Sequence, residues 1–244
     1  MRTTRIHTGQ SLAEAGEIEL EAGPARHLLK VLRLDVGDRA VLFNGDGFEY
    51  DATIQSVEGK TRCRITVQRR QQPAVESPLD LTLVQAIGRG EKMDWCVQKA
   101  VELGVTRIQP VFSERTEVRL SGARAEKRQA RWQQIVIAAC EQSGRVRVPE
   151  VSAPSEISGL DRNNGLDLLL DPGANAGLSA LDSPTPGLPI RLLVGPEGGL
   201  SELEIDQLSY RGWIGVRFGP RVLRTETAGL AALAAIHALW GDAS

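Results

Sequence analysis

Two stretches, "LDLLLDP" at 166–172 and "PIRLLVGP" at 189–196, are apolar almost without interruption. A strand with one wet face alternates apolar and polar residues, so a strand without a polar face has to be covered on both sides. The rest of the chain from residue 81 onward supplies the covers. "LDLTLVQAI" reads as a strand, and "EKMDWCVQKAVELG" as a helix with Met93, Cys96 or Val97, Ala100 and Leu103 on its buried stripe and Gly104 as its stop. "VTRIQPVF" is a strand, "RAEKRQARWQQIVIAACEQSG" a long helix ending at Gly144, "WIGVRFGP" a strand, and "TETAGLAALAAIHALWG" an apolar helix. Strand and helix in alternation predict an α/β fold with a mostly parallel sheet. Residues 173–189, rich in Gly, Pro and Ser, predict a long loop.

The first seventy residues follow a different rule. "AVLFNGDGFEYDATIQSVEG" places an Asn-Gly-Asp-Gly turn between two β-type runs, a hairpin signal. "TRCRITVQ" alternates, with Cys63, Ile65 and Val67 on one face. "GPARHLLKVLR" predicts a helical turn or two with Leu28, Leu29 and Leu32 on one side. A small β-barrel-like module is expected, followed by a proline-containing linker, "QQPAVESPLD". The expected division is 1–72 and 73–244.

Several function classes lose support at once. No window approaches eighteen apolar residues, and "MRTTRIHTGQ" has no apolar core, so neither a membrane span nor a secretory signal is expected. Cys63, Cys96 and Cys140 are an odd, widely spaced set without a CxxC pair; a reducing cytoplasm and no bound metal are the expectation. The net charge of −2 is unevenly spread: 11 basic against 10 acidic residues in 1–75, 12 against 7 in 82–149, and 6 against 12 in 150–244. "KTRCRITVQRR" holds five cations and no acid, either a phosphate-binding footprint or a solvated face with local ion pairs.

The stretches "RLLVGPEGGLSELEI" and "FGPRVLRTETAGLAAL" share a grammar of strand, glycine-rich turn and helix. Neither carries G-x-G-x-x-G nor G-x-x-x-x-G-K-[ST], and H-E-x-x-H and G-x-S-x-G are absent. Such turns expose backbone N–H and C=O groups at the carboxyl end of a strand, where α/β sheets bind ligands. Ser201 and Glu204 form an S-x-x-E capping box for the next helix. A stiff, backbone-lined slot suits an adenine edge and an uncharged ribose better than phosphates.

Together with "RGEKMDWCVQKAVELGV", "IQPVFSERTEV", "RWQQIVIAACEQSGR" and "RHLLKVLRLDVGD", these stretches resemble the RsmE family, the uridine N3-methyltransferases of 16S ribosomal RNA, over nearly the whole chain. The resemblance implies a SPOUT-type C-terminal domain with a deep trefoil knot, a PUA-like RNA-binding barrel before it, and a homodimer. It implies S-adenosylmethionine as methyl donor, held at Leu170 and Pro172, along Gly195, Pro196, Glu197, Gly198, Gly199 and Leu200, and at Gly219, Leu223, Arg224, Thr225 and Ala228.

N3 of uracil is protonated at neutral pH and lies on the pairing edge, so the base has to be unpaired and its imide has to lose a proton. Arg224, or another cation near the donor loop, is the candidate for stabilising the anionic uracil. Glu197 and Glu226 flank the slot, as proton acceptors or as anchors of their loops. His237 reads as a packed histidine and Cys140 as a small buried apolar residue. For RNA the candidates are Arg5, Arg26, Lys30 and Arg33 in the first module, and Arg89, Lys92, Arg115, Arg145 and Arg147 beyond it. A non-catalytic RNA-binding assembly factor with a vestigial methyltransferase fold is the alternative, and a small-molecule enzyme using adenosine compounds a third reading. Expected partners are 16S ribosomal RNA or the small ribosomal subunit.

Overall fold

The computed structural model describes residues 4–162 and 164–243. By compactness it falls into two units: residues up to Glu76 with Cys140–Val148, and Ser77–Ala139 with the chain from Pro149 on. Division into two contiguous stretches cannot express this, because a short segment from far along the chain completes the first unit.

In the first unit, β1 (Arg5–His7), β2 (Glu17–Glu19), β3 (Arg39–Phe43), β4 (Glu49–Glu58) and β5 (Arg62–Gln71) form one sheet in the order β1-β3-β4-β5-β2. β1 lies parallel to β3 and the other pairs are antiparallel. The β3–β4 hairpin turns at Gly45 and Gly47, both at positive φ (88° and 96°), the region glycine enters without a Cβ clash. Cys63, Ile65 and Val67 of β5 are buried in a core with Ile6, Leu28, Leu42, Tyr50 and Ile54. The short helix α1 (Ala22–Arg26) widens at its end, where the N–H of Leu32 donates to the carbonyl of His27, five residues back. That extra residue per turn carries Leu32 off the buried face: Leu28 is buried and Leu29 half-buried, but Leu32 is exposed.

The segment 140–148 is held by Glu76. Its carboxylate accepts hydrogen bonds from Nε and Nη2 of Arg145 (3.0 and 2.8 Å) and from the backbone N–H groups of Val146 and Arg147 (2.9 Å each). Glu141 accepts from the His7 N–H, and Arg5 donates to the carbonyls of Gly144 and Arg145.

The second unit contains β6 (Leu81–Ala86), α2 (Lys92–Glu102), β7 (Arg107–Phe112), most of α3 (Gly122–Ser143), β8 (Glu150–Val151), β9 (Ser155–Glu156), β10 (Leu166–Leu170), β11 (Ile190–Val194), α4 (Glu202–Tyr210), β12 (Ile214–Val216) and α5 (Thr225–Trp240). The sheet runs β12-β10-β11-β6-β7-β8, with β9 also on β7, and every pair is parallel. All six residues of β6 are buried, as two covered faces require. On one face Val84, Ala86, Leu169 and Leu193 pack with Leu208 of α4 and with Trp213. On the other, Gly229 of α5 comes so close that a Cβ there would lie 3.2 Å from both Gln85 Oε1 and Val194 Cγ2.

In α2 the buried residues are Met93, Cys96, Val97, Ala100 and Val101. Val101 takes the place expected for Leu103, which instead caps the helix. Gly104 follows at φ 87°, and the N–H groups of Gly104 and Val105 return to the carbonyls of Val101 and Ala100. The 173–189 loop is irregular apart from a tight turn at Leu178–Ala180 and a parallel bridge between Gly177 and Arg217. No helix among the described residues is long and apolar enough to cross a membrane.

Candidate functional site

β10, β11 and β12 are parallel neighbours or one strand removed, so the chain leaves all three at the same edge of the sheet. Their exits enclose a cavity of about 590 Å³, within the roughly 300–1,000 Å³ usual for ligand sites. Leu169 to Pro172 form one wall, Val194 to Leu200 a second, and Val216 to Gly219 with Arg221 to Thr225 a third; Lys92, Ile205 and Ala228 complete it. Every residue that the resemblance puts at a methyl-donor slot lines this cavity.

The β11 turn is shaped by its glycines. Gly199 (φ 69°) closes on the Pro196 carbonyl with a 2.9 Å hydrogen bond. A Cβ at Gly195 would sit 3.2 Å from Leu200 Cγ, and one at Gly198 3.3 Å from Arg115 Cβ. The turn then enters α4 through a complete capping box: Ser201 Oγ accepts from the Glu204 N–H and Glu204 from the Ser201 N–H. The second carboxylate oxygen of Glu204 accepts the Glu114 N–H, while the Arg115 guanidinium donates to the carbonyls of Gly198 (3.0 Å) and Leu200 (3.3 Å). The β12 exit joins α5 at Thr225, whose hydroxyl donates to the Gly195 carbonyl at 2.6 Å.

At the cavity wall, Lys92 Nζ lies 2.8 Å from Glu197 Oε1 and 3.8 Å from Glu226 Oε2. The hydrogen bond to Glu197 raises the Lys92 ammonium above its ordinary range despite partial desolvation and the Arg224 charge. Burial pushes the Glu197 carboxyl up, but the Lys92 hydrogen bond, N–H donors of Glu197 itself and Arg89, and the Lys92 charge together hold it below the usual carboxylate range. Glu197 is therefore ionised and committed to Lys92, a poor acceptor for an imide proton at neutral pH; of the two roles open to it, the geometry fits the loop anchor. Arg224 stands exposed at the start of α5, and no described residue forms an ion pair with it. Burial pushes the thiols of Cys96 and Cys140 up to about 12, so neither is a nucleophile at neutral pH. His237 is buried in α5 beside Gly104, and neither it nor His7 or His27 lines the cavity.

The basic candidates for RNA divide sharply. In the first unit Arg26, Lys30, Arg33 and Arg147 are exposed. Arg145 is 4% exposed and spent on Glu76; Arg5 is paired with Glu49 and packed over Phe43. Both guanidiniums are engaged within the first unit, where they act as structural anchors. In the second unit Arg89 pairs with Glu117, and Arg115 is bonded to the β11 turn. Lys92 lines the cavity wall. Gln85 escaped sequence reasoning altogether, although a polar residue within "LTLVQA" was a visible signal: it is buried, and its amide donates to Thr225.

Residues 75–237 match the family described as an RNA methyltransferase domain, and residues 24–68 an RNA methyltransferase PUA domain. The chain is 35% identical to a ribosomal RNA small subunit methyltransferase E of Buchnera aphidicola, over 100% of this chain and 99% of that one. A Bacillus subtilis protein of the same name is 32% identical over 94% and 93%. Among solved structures, a ribosomal RNA small subunit methyltransferase E from Neisseria gonorrhoeae bound to S-adenosyl methionine is 40% identical, covers 100% of both chains and superposes with a TM-score of 0.90. A Legionella pneumophila protein solved in complex with the same cofactor is 35% identical, with 99% and 100% coverage and a TM-score of 0.93.

Proposed function

The chain belongs to the family of ribosomal RNA small subunit methyltransferases E, and we propose that it transfers a methyl group from S-adenosylmethionine to N3 of one uridine in 16S ribosomal RNA. The observation that carries this reading is the cavity at the three parallel strand ends, framed by two glycine-rich turns, in a chain that aligns end to end with a relative solved with that donor. The residues fit the group. Gly195 and Gly198 let the turn pack tightly against Leu200 and Arg115, the walls offer backbone polar groups and apolar side chains, and no phosphate-binding motif is needed.

Bound there, the donor supplies an electrophilic methyl on a sulfonium. The chain's contribution is positioning. The 195–200 turn, braced by Arg115 and Glu204, and the 219–225 turn, braced by Thr225, give the slot a fixed shape, so little order has to be imposed on binding. Arg224, an exposed cation at the rim, places its guanidinium against the oxygens of the incoming uracil. Its charge favours the imide anion and thereby lowers the N3–H pKa.

Residues 1–72, together with the 140–148 segment of the same unit, are assigned to RNA binding, and the rest of 73–244 to methyl transfer. Arg26, Lys30, Arg33 and Arg147 are the first-unit cations available to phosphates, and Arg89 contributes from the second unit once it leaves Glu117. The reading extends to a homodimer and to a SPOUT-type trefoil knot around the donor turns, which the β12-β10-β11-β6 order supports, and to a closed N-terminal barrel.

The test is methylation of small ribosomal subunits that lack the modification, with isotopically labelled donor. One labelled methyl per subunit, mapped by mass spectrometry as 3-methyluridine at a single position, is the expected result. No incorporation, or a methyl on carbon or ribose, overturns the reading.

A further inference from the structure

Thr225 lines the proposed donor slot, yet its hydroxyl is used up inside the protein. Oγ1 donates to the Gly195 carbonyl at 2.6 Å and accepts from Gln85 Nε2 at 3.0 Å. Gln85, next to last in β6, is 1% exposed and lies outside the cavity wall. The direction of this chain of bonds is fixed. Gln85 Nε2 also donates to the Ala86 carbonyl at 3.1 Å, and a carbonyl can only accept, so the amide nitrogen has to be the atom facing Thr225. Thr225 Oγ1, already accepting one proton, directs its own to Gly195.

We propose that Gln85 is a positioning residue for the methyl donor. Acting through Thr225, it fixes the start of α5 against the Gly195 carbonyl and so sets the spacing of the two turns that form the slot. The inference rests on the donor-binding reading above.

Three features on three elements serve this one contact. Gln85 is a buried amide in a strand whose neighbours, Leu83, Val84 and Ala86, are apolar, a placement that costs stability unless the amide is used. Gly229, one turn into α5, leaves the space the amide occupies, since a Cβ there would lie 3.2 Å from Gln85 Oε1. Gly195 opens the turn that forms one wall of the cavity, so a shift of its carbonyl moves that wall. α5 could pack on β6 and β11 through apolar contacts alone; a directional relay between the ends of two strands and a helix start adds geometry, which is what a preorganised slot requires.

The test uses the full chain and titration calorimetry with S-adenosylmethionine, alongside methyl-transfer kinetics on small subunits. Gln85→Met keeps the volume and removes the donor; Thr225→Val removes the hydroxyl in the same shape; Thr225→Ser keeps it. Gln85→Met and Thr225→Val each weaken donor binding about tenfold or more, the scale set by stranding a buried polar partner. The loss appears in the donor KM, with kcat at saturating donor falling less than about threefold. Thr225→Ser binds within about threefold of the parent. Parent-like affinity in Gln85→Met or Thr225→Val, or a Thr225→Ser as weak as Thr225→Val, overturns the inference. Should Gln85→Met not fold, the Thr225 pair decides alone. If the parent chain itself does not bind the donor, it is the donor reading that fails.

Discussion

Arg224 and Glu76 show two opposite uses of a charge. Arg224 is exposed at the cavity rim with no ion-pair partner among the described residues, so its charge is available to a ligand. Arg224→Ala should lower kcat by about a hundredfold or more, the usual cost of removing a charge-stabilising donor, while the donor Kd shifts less than about threefold; equal losses in both would make it a binding residue instead. Glu76 spends its charge on Arg145 and on the 145–147 backbone. Burial disfavours its ionised form, but those donors and the Arg145 charge prevail and hold its carboxyl below the ordinary range. A carboxyl whose folded pKa is depressed contributes stability in full above its unfolded value near ~4.3, and loses it as pH falls through the lower folded value. Denaturant titration should therefore show this contribution intact at neutral pH and fading below about pH 4. Glu76→Gln should cost about 3 kcal/mol at neutral pH, because it strands a buried guanidinium, and should flatten that acid dependence. Sequence alone separated Arg224 from the other cations by its place after a glycine turn. It had no means of separating Arg145 from Arg147, two residues apart, since burial depends on a carboxylate some seventy positions earlier.

At the scale of elements the periodic signals were legible and the local exceptions were not. The apolar runs became β10 and β11, and the S-x-x-E pattern became a capping box with both bonds made. Ser201→Ala should cost about 1 kcal/mol of stability, the ordinary value of an N-cap. Because α4 begins where the β11 turn ends, donor affinity should fall with it; unchanged stability in a chemical melt would mean that the cap is not used. The exceptions have physical causes. A five-residue-spaced bond at His27 rotates Leu32 outward, and closure at Gly104 makes Leu103 a cap while Val101 turns inward. Asp167 and Arg191 interrupt the apolar strands, yet they sit opposite each other on β10 and β11 and pair at 2.6 Å. Their partnership depends on a register that periodicity does not carry.

For the whole molecule, the expectation of an α/β parallel sheet followed from strands without a polar face, whereas a nine-residue segment, Cys140–Val148, that belongs with the first unit had no signature beyond its charges. RNA binding should be carried by exposed cations only. Reversing Arg26, Lys30 and Arg33 together should weaken RNA binding and reduce the salt slope, log Kd against log salt, by about 2 if each meets one phosphate of a single-stranded stretch; an unchanged slope would remove these residues from the interface. Beneath all of this lies the assignment of the cavity to S-adenosylmethionine. A crystal structure of the chain grown with the donor tests it most directly. The adenosine and methionine portions should lodge between Gly195–Leu200 and Gly219–Thr225, with the methyl directed toward the Arg224 rim. A donor bound at any other place, with those turns untouched, would contradict it.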